Sequence, residues 1–245
     1  MADLYTVNNA ADGVCISGNQ SSWANARDAS GASVNTSYSK YPNTTTAFRR
    51  NARGGGISYG VFRSFYYFDT SGITGTVSSA TFKIYGYSAT DGSIITVKST
   101  AFGGDGGTAL ATTDFNNITG YSAGASLAGN ATDYSATILA GSWSTSGYND
   151  LASTSGLRAD MQNNDVVIIC VMDYTNDYLN VALTSNATLN FGGYYTENTG
   201  TSKDPYITYE VAASGYGNIV SGVAAANIGK VDGVATANIE KVIGV

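Results

Sequence analysis

Alternation of apolar and polar residues is strongest between positions 61 and 87 of the chain. Ala80, Phe82 and Ile84 alternate there with residues that are polar or carry a hydroxyl group. A period of two places one face of a strand against a core and the other toward water. The segment 69–75, between two apolar runs, contains the serine and glycine residues typical of a turn. The pattern therefore predicts a β-hairpin with strands at 61–69 and 79–87.

Further short apolar runs recur along the chain, separated by turns rich in glycine, asparagine and aspartate. They predict strands at 93–101, 134–140, 166–173, 178–184, 187–193 and 205–211. Many short strands at regular spacing are typical of an all-β sandwich. A short helix is expected within 149–161, where Leu157, Arg158 and Met161 have helical spacing. Residues 1–10 are interpreted as a short arm, and residues 11–60 as polar and rich in turns.

Composition narrows the class of protein. The 245 residues suffice for one β-sandwich with a sizeable core or for two small domains. Charged residues make up 12% of the chain, about half the usual share, while glycine (30) and tyrosine (18) are abundant. This balance is typical of extracellular or virion β-proteins, and 43% hydrophobic residues argue against disorder. A net charge of −6 argues against nucleic-acid binding, which needs a basic face.

The residues that many enzymes and metal sites use are scarce. The chain has no histidine, so the commonest general base and the commonest metal ligand are missing. We therefore expect a protein that is not an enzyme. Cys15 and Cys170 are too few for a zinc site or a redox motif. Cys170 lies in an apolar run that predicts a buried strand, and a disulfide to Cys15 would require Cα atoms within about 7 Å.

The first residues, Met1 to Tyr5, contain neither a basic segment nor an apolar run, so we expect no signal peptide. The chain also lacks a run of about 18 apolar residues, so no membrane insertion is expected. A surface-type composition without an export signal is typical of a virion protein that is assembled in the host cytoplasm and released by lysis. The expected location is the virion surface.

The central hairpin also resembles a known family. The order R-x-F-x-x-F-D-x-S, a turn, and then S-A-T-F-x-I-Y is similar to the DNRLRE-type jelly-roll domain, which resembles the carbohydrate-binding modules of bacterial surface proteins. The matching residues are Arg63, Phe65, Phe68, Asp69, Ser71, Ser79, Ala80, Thr81, Phe82 and Tyr85. The resemblance covers roughly residues 11–211 and implies a jelly-roll β-sandwich with an affinity for glycans. The segment 20–53 departs from it, being longer and richer in Asn, Ser and Thr.

From Tyr216 the chain changes to an eleven-residue repeat, in which Val220, Val231 and Val242 are equivalent. A glycine in every unit and many valines and isoleucines argue against a helix, so we predict short strands with glycine turns. Residues 227–245 resemble the termini of tailed-phage structural proteins. A single unit cannot bury its apolar side alone, which implies docking on another copy or on a partner. The candidate assembly residues are Ile228, Val231, Val234, Ile239, Val242 and Val245.

Aromatic residues near polar loops are candidates for a sugar platform, because aromatic rings pack on the C–H faces of pyranoses. The candidates are Trp23, Trp143, Tyr148, Tyr194 and Tyr195. Trp143 and Tyr148 are favoured because they lie in a Ser/Gly loop, although packing in the sandwich or between subunits is the alternative. The cluster Arg49, Arg50 and Arg53 could pair with a neighbouring subunit or with an anionic glycan, or could simply be solvated.

A second candidate site is acidic. Asp173, Asn176 and Asp177 follow an apolar strand closely enough to offer oxygen ligands to a structural calcium ion. Asp and Asn are also common turn formers, and no EF-hand pattern is present. No other cofactor is expected.

Together these patterns predict an all-β protein with three parts: an arm at 1–10, a jelly-roll β-sandwich at 11–211 and an assembly tail at 212–245. The expected function is that of a phage virion structural protein of the tail, tail fibre or capsid surface, with a contribution to glycan attachment. The expected partners are copies of itself, with a trimer favoured, other virion proteins and a host glycan. Three alternatives remain open. They are a capsid decoration protein without a ligand, a free carbohydrate-binding module, and a depolymerase using carboxylates such as Asp173, Asp177 and Glu197.

Overall fold

The computed structural model describes residues 1–6, 12–29, 31–37, 39–196 and 202–212, together with the backbone of 230–231 and 234–235. The first six strands are β1 (Ala2–Tyr5), β2 (Asp12–Ile16), β3 (Ser33–Asn35), β4 (Lys40–Asn51), β5 (Ile57–Asp69) and β6 (Val77–Ala89). The next six are β7 (Ser93–Lys98), β8 (Ile138–Leu139), β9 (Tyr148–Ala152), β10 (Val166–Asp173), β11 (Ala187–Tyr194) and β12 (Tyr206–Val211). The helices are α1 (Trp23–Asp28) and α2 (Ser155–Asn163).

These twelve strands form one antiparallel sheet in the order β1-β12-β6-β11-β4-β5-β10-β7-β8, with β9 on the second edge of β6 and β2 joining β5 to β3. The long strand β4 pairs with β11 along most of its length and with β5 through its second half. It therefore connects a front half (β2, β3, β5, β7, β8 and β10) to a back half (β1, β6, β9, β11 and β12). The protein is all-β, as predicted from the regular spacing of short strands.

The sheet curls over itself into a jelly-roll β-sandwich, which the contacts between β5 and β6 show most directly. The Phe82 ring of β6 lies edge-on to Tyr66 and Phe68 of β5, at centroid distances of 5.2 and 5.7 Å. These rings belong to a core that also contains Val167 and Ile169 of β10. The inner faces of the two halves therefore pack together, as the fold class predicts.

The front half is buried on its outer face as well. Residues that alternate with the inner core, such as Phe65 of β5 and Cys170 and Met172 of β10, enter a second cluster. Helix α1 supplies Trp23 to this cluster, and the long connection between β7 and β8 supplies Phe115 and other apolar residues. We call this outer surface of the front half the covered face. Burial on both sides explains the nearly continuous apolar run of β10.

The two cysteines lie in this second cluster, and both are free thiols. In the strand register, Cys15 of β2 lies opposite Arg63 on one edge of β5, and Cys170 of β10 lies opposite Phe65 on the other edge. Neighbouring strands lie about 4.8 Å apart, so two strands flanking a third are roughly 10 Å apart. That separation is too wide for a disulfide.

The predicted central hairpin is confirmed, since β5 and β6 contain the expected strands and Ala80, Phe82 and Ile84 face the core. Asp69 shapes the turn by accepting hydrogen bonds from the amide and hydroxyl of Ser71. The strand predicted at 166–173 is confirmed with the same limits, and those at 187–193 and 205–211 are confirmed within one residue at each end.

Other expectations need correction. Residues 178–184 do not form a strand, because one π-helical turn (Tyr174–Tyr178) ends β10 and Asn180 adopts a left-handed backbone with φ 56°. The short helix expected within 149–161 is present as α2, which begins at Ser155, whereas residues 149–152 belong to β9. The polar stretch 11–60 contains β2, α1, β3 and β4, rather than turns alone.

The chain ends contribute strands where they are described. The residues expected to form an arm instead add β1 to the sheet, with Ala2 opposite Tyr209 of β12. In the repeat tail, β13 (Lys230–Val231) and β14 (Val234–Ala235) form a small antiparallel hairpin, as the glycine-turn prediction requires for that unit. Within the described residues, no helix is both long and apolar enough to span a membrane.

Candidate functional site

Three of the five residues predicted to form a sugar platform lie in the protein interior. The Trp143 side chain packs edge-on against Phe191 at 5.4 Å, and its Nε1 donates a hydrogen bond to the Gly192 carbonyl. Trp143 is only 7% exposed. The Ser/Gly loop that made it a candidate instead carries its indole into the core beside β11.

Trp23 and Tyr195 are buried for different reasons. Trp23 opens helix α1 and donates from Nε1 to the side-chain carbonyl of Asn180, at 3.0 Å. Tyr195 stacks on Tyr66 at 5.7 Å and shares a 2.7 Å hydrogen bond with the Ser64 hydroxyl. Protein atoms cover these rings, so the sugar-stacking prediction is wrong for Trp23, Trp143 and Tyr195.

Tyr148 and Tyr194, by contrast, lie together on the outer face of the back half. Tyr148 of β9 is directly opposite Tyr85 of β6, and the two rings meet edge-on at 5.2 Å. The Tyr194 ring of β11 meets the other side of Tyr85 at 5.3 Å. Sequence reasoning named Tyr85 only as part of the hairpin pattern. Its position on the polar side of that alternation was the available signal for an outward-facing ring.

These three rings belong to a longer row. Tyr206 of β12 lies 5.0 Å from Tyr148 and 5.1 Å from Tyr5 of β1. At the other end, Tyr87 of β6 lies 6.1 Å from Tyr194. We call this set the tyrosine row, and its members in spatial order are Tyr5, Tyr206, Tyr148, Tyr85, Tyr194 and Tyr87.

Each ring of the tyrosine row is held by its neighbours while staying open to solvent on part of its surface. The two end members, Tyr5 and Tyr87, are each 39% exposed, and the others are partly buried. The Tyr85 hydroxyl donates to the Ser146 carbonyl at 2.6 Å, and the Tyr148 hydroxyl donates to the Asp204 carbonyl at 3.1 Å. Burial raises the pKa of Tyr148, with added effect from nearby Tyr206 and Tyr5, so this hydroxyl stays protonated. The row is therefore an ordered surface.

Two lysines lie against the row. The Nζ of Lys203 is 4.5 Å from the Tyr194 centroid and 5.0 Å from that of Tyr85, and it also donates to the Tyr194 hydroxyl at 3.3 Å. The Nζ of Lys40 is 4.6 Å from the Tyr87 centroid and 5.9 Å from that of Tyr194. Tyr194 therefore contacts two tyrosines and two ammonium groups. Such cation–π contacts hold flexible lysine side chains in place.

Comparison with known proteins places the chain in no family. No family model matches the sequence, and no curated protein matches it significantly. The geometry and the sequence patterns are therefore the basis for any functional proposal.

The predicted calcium ligands are used inside the protein. Asp173 caps the π-helical turn by accepting from the amides of Asn176 and Asp177, at 2.6 and 3.4 Å. Burial raises the Asp173 pKa to about 7. The Asp177 carboxylate binds the guanidinium of Arg63 through two hydrogen bonds, of 2.7 and 2.6 Å. Among the described residues, no group of three or more acidic, cysteine or histidine side chains could hold a metal ion.

Arg63 is the centre of a buried charged cluster that sequence reasoning did not identify as a site. Its Nη1 donates to the Phe115 carbonyl and the Asn116 side chain, both at 2.7 Å, and its Nη2 also donates to the Arg27 carbonyl. With the two bonds to Asp177, all five N–H groups of this fully buried guanidinium have partners. The cluster holds the covering segments on the covered face and leaves no donor of Arg63 for a ligand.

The remaining predicted residues lie elsewhere. Of the candidate assembly residues, Val231 and Val234 are opposite each other in the backbone register of the tail hairpin. The others lie outside the described residues, as does Glu197. The side chains of Arg49 and Arg50 donate to Asn186 and Asn19, and Arg53 is exposed in the turn between β4 and β5.

Proposed function

We propose that this protein is a structural component of a bacteriophage particle and that its jelly-roll domain contacts carbohydrate on the host surface. The observation that carries the carbohydrate part is the tyrosine row, a continuous set of six partly exposed rings on the outer face of the back half. Large exposed aromatic patches on soluble proteins usually mark binding surfaces.

The row suits a sugar chain for physical reasons. Aromatic rings offer flat apolar area to the C–H groups of a pyranose, and tyrosine adds a hydroxyl that can hydrogen-bond to the sugar. Near-perpendicular packing, such as the 86° angle between Tyr85 and Tyr194, holds five of the rings against one another, and Tyr5 stacks on Tyr206 at 29°. A surface that is ordered before binding loses little conformational entropy when a ligand arrives.

The virion part of the proposal draws on the tail. Its eleven-residue repeat resembles the termini of tailed-phage structural proteins, and one unit folds as the hairpin of β13 and β14. Hairpins that repeat along a chain bury their apolar side only against a neighbour, so the tail is suited to assembly. Peptides of this chain in purified phage particles, detected by mass spectrometry, would support this role, and their consistent absence from particles would contradict it.

The assembly role has a direct test. Light scattering should give a trimer or larger assembly for the full chain and a monomer for a truncation that ends at Val211. If the full chain and the truncation are both monomeric, the result would instead favour a decoration protein or a free carbohydrate-binding module.

The carbohydrate role is tested by glycan binding of the full chain, measured on an array and then by titration calorimetry. Tyr194→Ala should weaken binding by about tenfold or more, since it removes the ring that contacts two other tyrosines. Tyr87→Ala, at an exposed end of the row, should give a smaller loss. Tyr174→Ala is the matched control, because Tyr174 is also partly exposed but lies beside Tyr178, outside the row. A wild-type protein that binds no glycan contradicts the carbohydrate role.

A further inference from the structure

The two ends of the tyrosine row differ in charge. At one end, the ammonium groups of Lys40 and Lys203 lie 5.9 and 4.5 Å from the centroid of Tyr194. At the other end, burial and then the nearby carboxylate of Asp3 raise the pKa of Tyr5. The row therefore has a basic end and an acidic end.

The lysines of the basic end differ from the two other lysines of the sandwich. Lys83 pairs with Asp150 at 2.5 Å and Lys98 with Asp160 at 3.0 Å, so their charges are neutralised within the protein. Within the part of the chain that the structure describes, Lys40 and Lys203 take part in no ion pair. Aromatic rings hold both ammonium groups in position without neutralising them.

This concentration of positive charge stands out in a protein whose net charge is −6. Of two other carboxylates near the row, Asp150 is paired with Lys83. The charge of the buried Asp204 helps to raise the pKa of Tyr5 and Tyr148, so it acts on the other end of the row. The basic end is thus able to attract an anion locally, although the whole protein would repel one.

We infer that the basic end of the tyrosine row binds an acidic polysaccharide, with the carboxylate of a uronic acid beside Lys40 and Lys203 and its sugar ring against the tyrosines. The inference rests on the proposed function and narrows its ligand to one chemical class. Each ammonium group has three N–H donors, and its tyrosine neighbours can accept only part of them. Donors therefore remain for a carboxylate oxygen.

The dependence of binding on salt concentration distinguishes this charge contact from ring packing. Charges at a solvated surface are screened over about 8 Å at physiological ionic strength, whereas apolar stacking is not weakened by salt. Binding of an acidic glycan should therefore fall as salt rises, while binding of its neutral counterpart should change little.

The test uses the full chain and paired probes on one array. Each acidic polysaccharide, such as hyaluronan, alginate or polygalacturonate, is printed beside its carboxyl-reduced form, which keeps the sugar backbone but removes the charge. Binding is measured at 50 and 500 mM NaCl, and the tightest pair is repeated by calorimetry. Duplex DNA serves as a polyanion without pyranose rings.

The variants are Lys40→Gln, Lys203→Gln and the double variant, with Arg53→Gln as control. Arg53→Gln removes the same charge, but Arg53 lies beyond the far end of β4 from Lys40, and a strand of 12 residues extends roughly 35 Å. Circular dichroism and thermal melting check that every variant keeps the wild-type fold.

The inference expects acidic forms to bind at least tenfold more tightly than their reduced partners at low salt. The double lysine variant should remove that preference while keeping the weaker binding of the reduced forms, and Arg53→Gln should behave like wild type. Equal binding of both forms, unaffected by the lysine variants, overturns this inference but leaves the proposed carbohydrate role intact.

Three other results would contradict the proposed carbohydrate role as well as this inference. Binding to no glycan contradicts the carbohydrate role and the inference together. Duplex DNA that binds as tightly as the acidic glycans, with no effect of Tyr194→Ala, would make the surface a general polyanion contact. An assembly that falls to monomers in Tyr194→Ala, with no glycan bound by the wild type, would make the row a contact between copies of this chain.

Discussion

The curled sheet has two outer faces, and the aromatic and charged residues on them have different roles. On the covered face of the front half, Arg63 is fully buried and every N–H group of its guanidinium is satisfied by protein atoms. On the open face of the back half, Lys40 and Lys203 lie over tyrosines that remain partly exposed. The difference shows that the type of a residue decides its role less than whether a connecting segment covers it. A covered cation has a structural role, whereas an uncovered one is accessible to a ligand.

Removing the charge at the centre of the covered face should have the largest effect on stability. Arg63→Ala leaves Asp177 buried without its partner, so the free energy of unfolding should fall by about 3–5 kcal/mol. Urea denaturation measures the change. Arg53→Ala, at an exposed turn, should change it by less than about 0.5 kcal/mol. Similar small losses for both variants would mean that the cluster does not hold the covering segments.

Two neighbouring tyrosines on opposite sides of the back half sharpen the comparison further. Tyr195→Ala removes a fully enclosed ring and should lower the free energy of unfolding by about 3–5 kcal/mol. Tyr194→Ala removes an outward ring and should lower it by about 1 kcal/mol. Chemical denaturation gives both values, and a larger loss for Tyr194 than for Tyr195 would reverse the assignment of faces.

Stability should also depend on pH through Asp173, the buried carboxyl that caps the turn at the end of β10. Its folded-state pKa of about 7 lies above the unfolded value, so the protonated carboxyl stabilises the fold at low pH and this contribution is lost as pH rises toward 7. The slope is at most about 1.4 kcal/mol per pH unit. Asp173→Asn keeps an oxygen to cap the turn and should flatten the stability curve between pH 4 and 7. An unchanged slope in this variant would show that Asp173 titrates normally.

The smallest effect is expected for the lysines of the open face. Lys40→Gln and Lys203→Gln should each change the free energy of unfolding by less than about 1 kcal/mol, because exposed charges contribute little to folding. Thermal melting is sufficient to measure this. A loss comparable to that of Arg63→Ala would place these lysines among the groups that hold the fold together.

Much of the fold was predictable, because alternation is a local signal. The strands β5, β6, β10, β11 and β12 were all expected from their apolar spacing. Strand β4 was missed, since its lysine, threonines, asparagines and arginines read as a loop although the sheet buries its middle. The short helix expected within 149–161 is present from Ser155 and buries Leu157, while Leu151 is buried from strand β9, which was not expected there.

The candidate site was less predictable, because it depends on register between distant strands. Tyr85, Tyr148 and Tyr194 come from three strands that no local pattern brings together. Trp143 was favoured because its loop is rich in serine and glycine, but the loop carries the indole into the core beside Phe191. Chain composition indicates that aromatic residues are plentiful but not which of them a loop will cover.

Strand β12 links the tyrosine row to the tail, and this has a mechanical consequence. Tyr206 lies at its first residue, Val211 at its last, and the tail follows directly. A particle anchored through the tail and tethered to a cell through the row would pull along this one strand. Hydrogen bonds to β1 and β6 on its two edges would then be loaded together in shear rather than opened one at a time. Under flow, the tether would therefore load the hydrogen bonds between β12 and β6 before those of the strands farther from the tail.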